Sequence, residues 1–303
     1  MSSSLPICDY ENSSWRTEFW RGRDYEDRAE RIALACLLPP HGTRLCEIGA
    51  GFGRLADFYC GYERVILLDY SRSMLSEARA RLACDSRFHD SRFTFVAADL
   101  YNLPLADSAL DTVVTVRVLH HVTDIPRAFA EIARVICPNG TFVLEHANKR
   151  NLKAILRYAL RRGPNPFALD PLEFVKLNFD FHPRYIADNL RAVNFIMQER
   201  RAVSTFRIAA LKRIVPASVL AALDGILQSP LSNLCLSPSI FLRARSVKPG
   251  APARNVALWR CIACGSTDIV ESRDPERVEG LTCRACARAY PIVDGIVDFK
   301  VAQ

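Results

Sequence analysis

The sequence has little that would direct the chain out of a cell or into a membrane. No uninterrupted apolar run approaches the roughly 18 residues of a membrane-spanning helix, although hydrophobic residues make up 50% of the 303 positions. The first residues, MSSSLP, lack the basic and apolar segments of a secretory signal. No repeat of solenoid period is present. We therefore expect a cytoplasmic chain without a transmembrane segment, and not a repeat protein.

A strong charge of either sign is also missing. The formal net charge is +7 and the isoelectric point is about 8.9, which is compatible with an anionic partner without requiring one. The length allows one substantial core plus a small module. Cysteine, in contrast, is abundant with 11 residues. Most of them stand singly in apolar segments, which is typical of reduced, buried thiols in a cytoplasm.

A glycine-rich turn at residues 44–54 (RLCEIGAGFGR) organises the first half of the chain. A short apolar strand runs into Glu47, and a helical pattern begins at Leu55. Three glycines lie between them at alternate positions, namely Gly49, Gly51 and Gly53. Glycines let the backbone turn sharply and let a ligand approach where a β-carbon would collide. Because the first turn of a helix directs free N–H groups to the same place, the stretch predicts a nucleotide-type cofactor loop.

The residues that this turn lacks narrow the choice of cofactor. The dinucleotide fingerprint places a third glycine where Arg54 stands, and the Lys-Ser/Thr pair of a P-loop is absent. Glu47 would repel a pyrophosphate, but it suits a ligand that carries an ammonium group. S-adenosylmethionine carries an amino group and a sulfonium, and it has no phosphate.

Acidic residues follow the next two apolar strands. Asp69 ends the run at 64–68, where an acid accepts hydrogen bonds from both ribose hydroxyls. Asp99 comes just after the run at 93–97. Both acids also have a plain structural interpretation as strand-end caps, and Glu47 has one as a surface acid.

Taken together, these stretches resemble motifs I to IV of the class I S-adenosylmethionine-dependent methyltransferases, of the ubiquinone/menaquinone-biosynthesis type, over about residues 40–145. The resemblance implies an α/β fold, with a Rossmann-like seven-stranded sheet and helices on both faces. It also implies that Asp99 contacts the adenine amino group, with Tyr70 and Met74 flanking the ring. The expected cofactor-binding residues are Glu47, Gly49, Gly51, Gly53, Asp69, Tyr70, Met74, Asp99, Leu100 and Arg117.

The same resemblance gives a role to residues 1–40. In related methyltransferases this segment folds over the cofactor, and a basic or tyrosyl residue meets the cofactor carboxylate. Arg23, Tyr25 and Arg28 are the candidates here. A helix that exposes its arginines to solvent is the alternative.

Three histidines are candidates for a general base: His120 and His121 after the fourth strand, and His146 after the fifth. In an open parallel sheet these strand ends line the ligand crevice, and an unperturbed histidine titrates near 6.5. We expect Glu145 and Asn148 on the substrate side as well. The alternatives are a packing or capping role for the first two histidines and an insertion hinge near the third. A base is needed only if the acceptor must lose a proton.

The methyltransferase domain is expected over 41–247, with an insertion at 148–182. This insertion combines a basic helical piece, a proline-rich turn and an aromatic run, which favours a lid over the substrate. Its basic residues indicate a solvated face, and a nucleic-acid path is the alternative. Residues 207–228 predict a moderately apolar helix. Core packing explains its composition, and a partner or membrane-surface face would do so too.

The sequence predicts a second module in the last part of the chain. Residues 248–256 have linker composition, and the module follows over 257–303. Two C-x-x-C pairs in it have the spacing of a tetrathiolate zinc site, with the ligands Cys261, Cys264, Cys283 and Cys286. Such a closed shell leaves no position for a catalytic water, so we expect structural Zn²⁺.

An apolar hairpin around Asp294-Gly295 completes this module. The ending resembles the small zinc-ribbon activator proteins of tRNA, ribosomal and release-factor methyltransferases, which pair with the sheet edge of their enzyme in trans. The resemblance suggests docking in cis, by strand addition at residues 93–97.

The leading interpretation is an S-adenosylmethionine-dependent methyltransferase that acts on a small-molecule or lipid-like acceptor. The activator-like ribbon and the positive charge balance keep RNA and protein acceptors as an alternative. A catalytically silent scaffold that retains the cofactor fold is the alternative from another class. The sequence leaves the oligomeric state open.

Overall fold

The computed structural model describes residues 5–12, 19–85, 87, 92–250, 256–272 and 280–300. Parts of the expected amino-terminal cover (1–4 and 13–18), of the linker (251–255) and of the ribbon (273–279 and 301–303) therefore lie outside the described residues. So does the short stretch 88–91, together with residue 86.

Eleven strands form one sheet that runs through both parts of the chain. The sheet strands are β1 (Gly42–Ile48), β2 (Tyr62–Asp69), β3 (Phe93–Ala97), β4 (Leu110–Thr115), β5 (Ile136–Ala147), β8 (Phe195–Val203), β9 (Ser239–Ser246), β10 (Ile269–Ser272), β11 (Gly280–Cys283), β12 (Ala289–Val293) and β13 (Ile296–Asp298). A separate hairpin consists of β6 (Leu172–Val175) and β7 (Asn178–Asp180). The helices are α1 (Asp24–Leu37), α2 (Arg72–Ala83), α3 (Ile125–Val135), α4 (Leu152–Ala159), α5 (Pro183–Ala192), α6 (Ala209–Ile214) and α7 (Ala217–Leu227).

Seven strands in the order β3-β2-β1-β4-β5-β9-β8 make up the expected methyltransferase sheet. The first five are parallel, and β9 runs antiparallel to both of its neighbours. The buried parts of the central strands are largely apolar because helices cover both faces, as is usual for parallel sheets. This arrangement confirms the predicted Rossmann-like fold.

Successive side chains of the central strands point into two different cores. Leu45 packs with α1, α2 and α7 on one face, and Cys46 packs with α3 and α5 on the other. The alternation follows from the two-residue period of a strand. The glycine turn lies at the carboxyl edge of the parallel strands, directly after β1.

The predicted helix after the glycine turn was wrong in extent. Only a four-residue 3-10 helix, Ala56–Tyr59, follows the turn. Because Tyr62 already begins β2, the connection is too short for a crossover helix. The helix predicted over 207–228 is likewise divided into α6 and α7, since Pro216 holds Val215 in an extended conformation.

The strands of the carboxyl-terminal module continue the main sheet. The turn between β12 and β13 is Asp294-Gly295, with φ of 52° and 73°, as a two-residue hairpin of type I′ requires. β13 pairs in parallel with β3, and Ile296 lies opposite Phe95. The predicted docking in cis at residues 93–97 is therefore confirmed. Within the described part of the chain, no helix is both long and apolar enough to cross a membrane.

Candidate cofactor and acceptor site

A cavity of about 190 Å³ lies at the carboxyl ends of β1, β2, β3 and β4. Its lining includes nearly all the expected cofactor residues: Glu47, Gly49, Gly51, Asp69, Tyr70, Met74, Asp99, Leu100 and Arg117. Gly53 does not line the cavity. Its position faces α2 instead, because a β-carbon there would lie 3.2 Å from the Ala78 Cβ atom.

The glycine turn is held by hydrogen bonds to the neighbouring strand. The N–H groups of Gly49 and Ala50 both donate to the Leu68 carbonyl, at 2.7 and 3.0 Å. Gly49 has φ of 75°, and a β-carbon there would lie 2.2 Å from Val118 Cγ2, so only glycine fits. Gly51 also has positive φ, but a β-carbon there would meet nothing within 4 Å. The turn therefore leaves open space above Gly51, where a bound group can approach the backbone.

Asp69 joins this turn to the start of α2. Its Oδ2 accepts from the Gly51 N–H at 2.7 Å, and its Oδ1 accepts from the Ser71 N–H at 2.9 Å. Burial raises the pKa of Asp69, and these N–H donors oppose the rise. An ionised carboxylate has about four acceptor sites. Two sites are used by these bonds and the Tyr70 N–H also acts on the carboxylate, so Asp69 retains capacity for at least one hydroxyl donor in the cavity.

Glu47 is the most unusual group in the cavity. Its side chain is buried, and Oε2 has no described donor in normal hydrogen-bond geometry, although the buried Tyr59 hydroxyl, which also has no partner in that geometry, is close enough to lower the pKa of Glu47. Burial raises the pKa of Glu47 to about 8, although the positive charge of Arg54 acts in the opposite direction. Buried carboxylate oxygens are nearly always paired. The free oxygen therefore indicates a place for a cationic or hydrogen-bond-donating ligand group.

Two arginines also line the cavity, but acids from α1 already pair with both. Arg54 donates to Asp27 and, at 2.9 Å, to Glu30 Oε2. Arg117 donates to the other oxygen of Glu30. Because both guanidinium charges are engaged, the uncompensated charge in the cavity comes from carboxylates. This balance disfavours a phosphate group and favours a cation.

Tyr70, Met74, Asp99 and Leu100 lie together on one side of the cavity. Asp99 Oδ1 accepts from the Tyr101 N–H at 2.8 Å, and burial raises the pKa of Asp99. The ribbon reaches this side, because Lys300 Nζ lies 4.3 Å from the centre of the Tyr70 ring. A flat apolar group with an exocyclic donor matches these surroundings.

His121 lines the cavity and has a defined tautomer. Its Nδ1 lies 2.9 Å from the Leu177 carbonyl, which can only accept, so Nδ1 carries the proton. Nε2 then accepts from the Tyr10 hydroxyl at 2.8 Å. Burial lowers the pKa of His121, so the ring is neutral near pH 7 and able to take a proton.

The other two histidines do not line the cavity. The His120 ring packs 3.9 Å from the His121 ring, and burial lowers its pKa well below the ordinary value. His146 is completely buried; burial lowers its pKa to about 4, and its Nδ1 contacts the Ala147 carbonyl at 3.2 Å. The structure thus brings only His121 of the three to the cavity.

The expected substrate-side residues near His146 have structural contacts instead. Glu145 accepts from the Arg117 N–H at 3.0 Å and from the Ser239 hydroxyl at 2.6 Å. The Asn148 side chain donates to the Cys235 and Ser237 carbonyls, both at 2.8 Å. These bonds fix the end of β5 to the segment before β9, and neither side chain lines the cavity.

The lining residues that the sequence did not predict include Tyr10, Phe19, Trp20 and Arg54. The first three belong to the expected amino-terminal cover, whose aromatic composition was the available signal. The candidates chosen for the cofactor carboxylate do not line the cavity: Arg23 stacks on Phe19, and the Tyr25 hydroxyl donates to Asp224 Oδ1. Arg28 is exposed on α1.

The four cysteines of the ribbon lie together, with all their sulfur atoms within 4.8 Å of one another. The Cys261–Cys286 and Cys264–Cys283 sulfur pairs are both 3.6 Å apart. A tetrahedral ion with metal–sulfur bonds of about 2.3 Å has its ligands about 3.8 Å apart. No disulfide joins these cysteines. The donor set and its spacing therefore fit one zinc ion.

Comparison with known proteins agrees with this geometry. A family profile described as a methyltransferase domain matches residues 46–144. The demethylmenaquinone methyltransferase of Roseiflexus sp. is 36% identical over 137 residues, which is 43% of this chain and 53% of that protein. An uncharacterized chloroplastic methyltransferase of Arabidopsis thaliana is 31% identical over 43% of this chain and 38% of its own length. The chain thus spans about half the length, or less, of these curated relatives.

Solved structures with the same fold extend over more of the chain. A chain from the Haloferax volcanii Trm112 methyltransferase activator complex superposes with a TM-score of 0.53 and 19% identity, covering 81% of this chain and all of that one. An S-adenosylmethionine-dependent methyltransferase of Mesorhizobium loti gives 0.53 with 22% identity, over 72% of this chain and 97% of its own. At these identities the similarity establishes the fold.

Proposed function

We propose that the protein is an S-adenosylmethionine-dependent methyltransferase. One observation carries the proposal: Glu47, buried with a free oxygen, and Asp69, with spare acceptor capacity, flank a glycine turn in a cavity whose arginines are already paired. The first acid suits the ammonium group, and the second suits the ribose hydroxyls. Tyr70, Met74, Asp99 and Leu100 would hold the adenine.

The chain contributes position and proton transfer to the reaction. When bound, S-adenosylmethionine supplies an activated sulfonium methyl group for in-line displacement. The glycine turn and the acids fix the orientation of this group, while Phe19 and Trp20 cover it and exclude water. If the acceptor must lose a proton, the Tyr10 hydroxyl relays it to His121 Nε2, where that hydroxyl already donates, with Nδ1 held on the Leu177 carbonyl.

The acceptor we favour is a small or lipid-like molecule. Apolar and aromatic side chains complete the cavity, including Phe19, Trp20, Val118 and Val122. Favourable burial of apolar surface at about 25 cal/mol per Å² would select such an acceptor. The docked carboxyl-terminal module supports RNA or protein acceptors as the second candidate, since its sequence resembles the small zinc-ribbon activators of such methyltransferases.

We further propose that Cys261, Cys264, Cys283 and Cys286 bind structural Zn²⁺. The ribbon has a small core, and metal binding supplies roughly 10–16 kcal/mol in small zinc domains. Because β13 continues the main sheet at β3, zinc would also stabilise the edge of the cofactor domain.

Two measurements test the proposed function. Calorimetric titration with S-adenosylmethionine should give saturable heat; its absence would leave the silent scaffold as the better interpretation. Incubation with methyl-labelled cofactor and a cell extract should then label the organic-soluble fraction. Label in RNA or protein would instead favour the second candidate, and salt-sensitive RNA binding would support it.

A further inference from the structure

The helix α4 has an apolar stripe that no described part of the chain covers. Leu152, Leu156 and Leu160 are 51%, 55% and 65% exposed, and their spacing of four places them on one side of the helix. None of the residues of α4 is buried. A helix this short is stabilised mainly by its packing, so an apolar stripe that is more than half exposed indicates a missing contact surface.

The apolar surface continues beyond α4 in the same insertion. The Tyr158 ring lies 6.1 Å from that of Phe167, which is itself 49% exposed. Phe174 and Val175 in the β6–β7 hairpin are 57% and 59% exposed. The Lys149 ammonium group donates to the Ala168 and Asp170 carbonyls, at 3.1 and 2.6 Å. These bonds hold the segment after α4 against the end of β5, so the apolar side chains are presented on an ordered support.

Basic side chains surround this apolar surface. Five of them occur in and beside α4, namely Arg150, Lys153, Arg157, Arg161 and Arg162. The stretch 150–169 contains no acidic residue, and in the described structure these five side chains form no ion pair. The acids of residues 150–175 are Asp170 and Glu173, both beyond α4, so α4 and its flanks combine an apolar stripe with cations alone, unlike an ordinary solvated face where both signs alternate.

We propose that this surface, formed by residues 150–175 and called here the docking face, binds the surface of an anionic lipid bilayer. Leucine and aromatic side chains enter the headgroup boundary, and the flanking cations meet anionic headgroups. A second copy of the chain is a poorer occupant, because two docking faces would place ten cations together. A neutral protein surface would leave the cations without partners.

Docking would act next to the proposed active site without being part of it. The insertion runs from the docking face into β7, and the Leu177 carbonyl before β7 holds His121 Nδ1. A bilayer bound at the docking face would therefore lie on the same side of the sheet as the cavity. Docking determines where the protein is held, and it does not depend on methyl transfer.

The experiment is co-sedimentation of the full chain with vesicles. One set contains three parts phosphatidylcholine and one part phosphatidylglycerol, and the other contains phosphatidylcholine alone. We expect binding to the anionic vesicles that is at least about tenfold tighter than to the neutral ones and that weakens with added salt. L156E and the double variant K153E/R162E should each weaken anionic-vesicle binding by about tenfold or more.

The matched control is I196E. Ile196 is 52% exposed, like the leucines of the docking face. It lies near the start of β8, opposite Arg245 of β9, which in turn pairs with Thr141 of β5. Ile196 therefore lies away from the carboxyl edge of the parallel strands, where the docking face begins. This variant should bind vesicles like the unaltered chain, and circular dichroism should show that all variants are folded. Absence of vesicle binding, equal binding by L156E, or equal loss in I196E would overturn the proposal. So would a dimer that L156E dissociates without any effect on vesicles.

Discussion

Replacing Glu47 with glutamine tests the charge of the cavity directly. With a pKa of about 8 in the free protein, about one Glu47 side chain in a hundred is ionised at pH 6 and about half at pH 8. The α-amino group of the cofactor loses its proton near pH ~7.8. The fraction of pairs in which both groups are charged therefore rises about 20-fold from pH 6 to near pH 8 and then falls.

Cofactor affinity should follow this product. Titration calorimetry between pH 6 and 9 should give a maximum near pH 8 for the unaltered chain, with about one proton released per cofactor bound on the acid side. In the E47Q variant the acid side of the profile should become flat. At the maximum, the loss of a charge-assisted hydrogen bond of roughly 1.5–3 kcal/mol should weaken binding about ten- to a hundredfold.

D111N is the matched control for this variant. Asp111 is also a carboxyl with a pKa raised by burial, but it accepts from the Thr43 and Arg44 N–H groups at the far end of the sheet. Its replacement should leave the pH profile of cofactor binding unchanged. An unaltered acid slope in E47Q, or affinity of the unaltered chain that does not vary with pH, would refute the assignment of Glu47.

Further variants separate the other roles, and each has its own measurement. D69N should weaken cofactor binding about tenfold or more by calorimetry, because it loses a ribose contact and the bond that holds the Gly51 N–H. G49A should lower the free energy of unfolding in urea by roughly 2–4 kcal/mol, since its β-carbon meets Val118. G51A should cost only about 1 kcal/mol of backbone strain, and it should act mainly on cofactor affinity. H121A should lower turnover while leaving cofactor affinity unchanged. In the unaltered chain, turnover should fall on acidification only below pH 6.5, because burial lowers the pKa of this histidine. Removal of zinc by a chelator, or C283S, should lower the melting temperature of the full chain; an unchanged melting curve would contradict a structural metal.

The strands and their acids could be predicted from the sequence because each depends on local pattern. Apolar runs ending in Glu47 and Asp69 reflect strands that are buried on both faces and end at the ligand edge. The alternating glycines were equally informative for Gly49, where no other residue fits. Gly53 looked the same in the sequence, but its lack of a side chain serves the contact with Ala78 instead.

The ion pairs and histidine positions that could not be predicted from the sequence depend on contacts between distant segments. The ion pair of Arg54 could not be predicted from the sequence, because its partner Glu30 lies in α1, 24 residues earlier in the chain. His146 seemed equivalent to His121, since both follow a strand. His146 lies within β5 and its ring is buried, whereas His121 lies in the 3-10 helix Leu119–His121 beyond β4, which carries its ring to the cavity.

The pairing of β13 with β3 has a consequence for biosynthesis and for truncated forms of the chain. Ile296 pairs with Phe95, about two hundred residues earlier. During synthesis, β3 therefore gains its second neighbouring strand only when nearly the whole chain has been made. Until then its open N–H and C=O groups form an edge that other extended chains can join. The carboxyl-terminal hairpin thus acts as a built-in guard against aggregation, and fragments that stop before it should precipitate where the full chain remains dispersed.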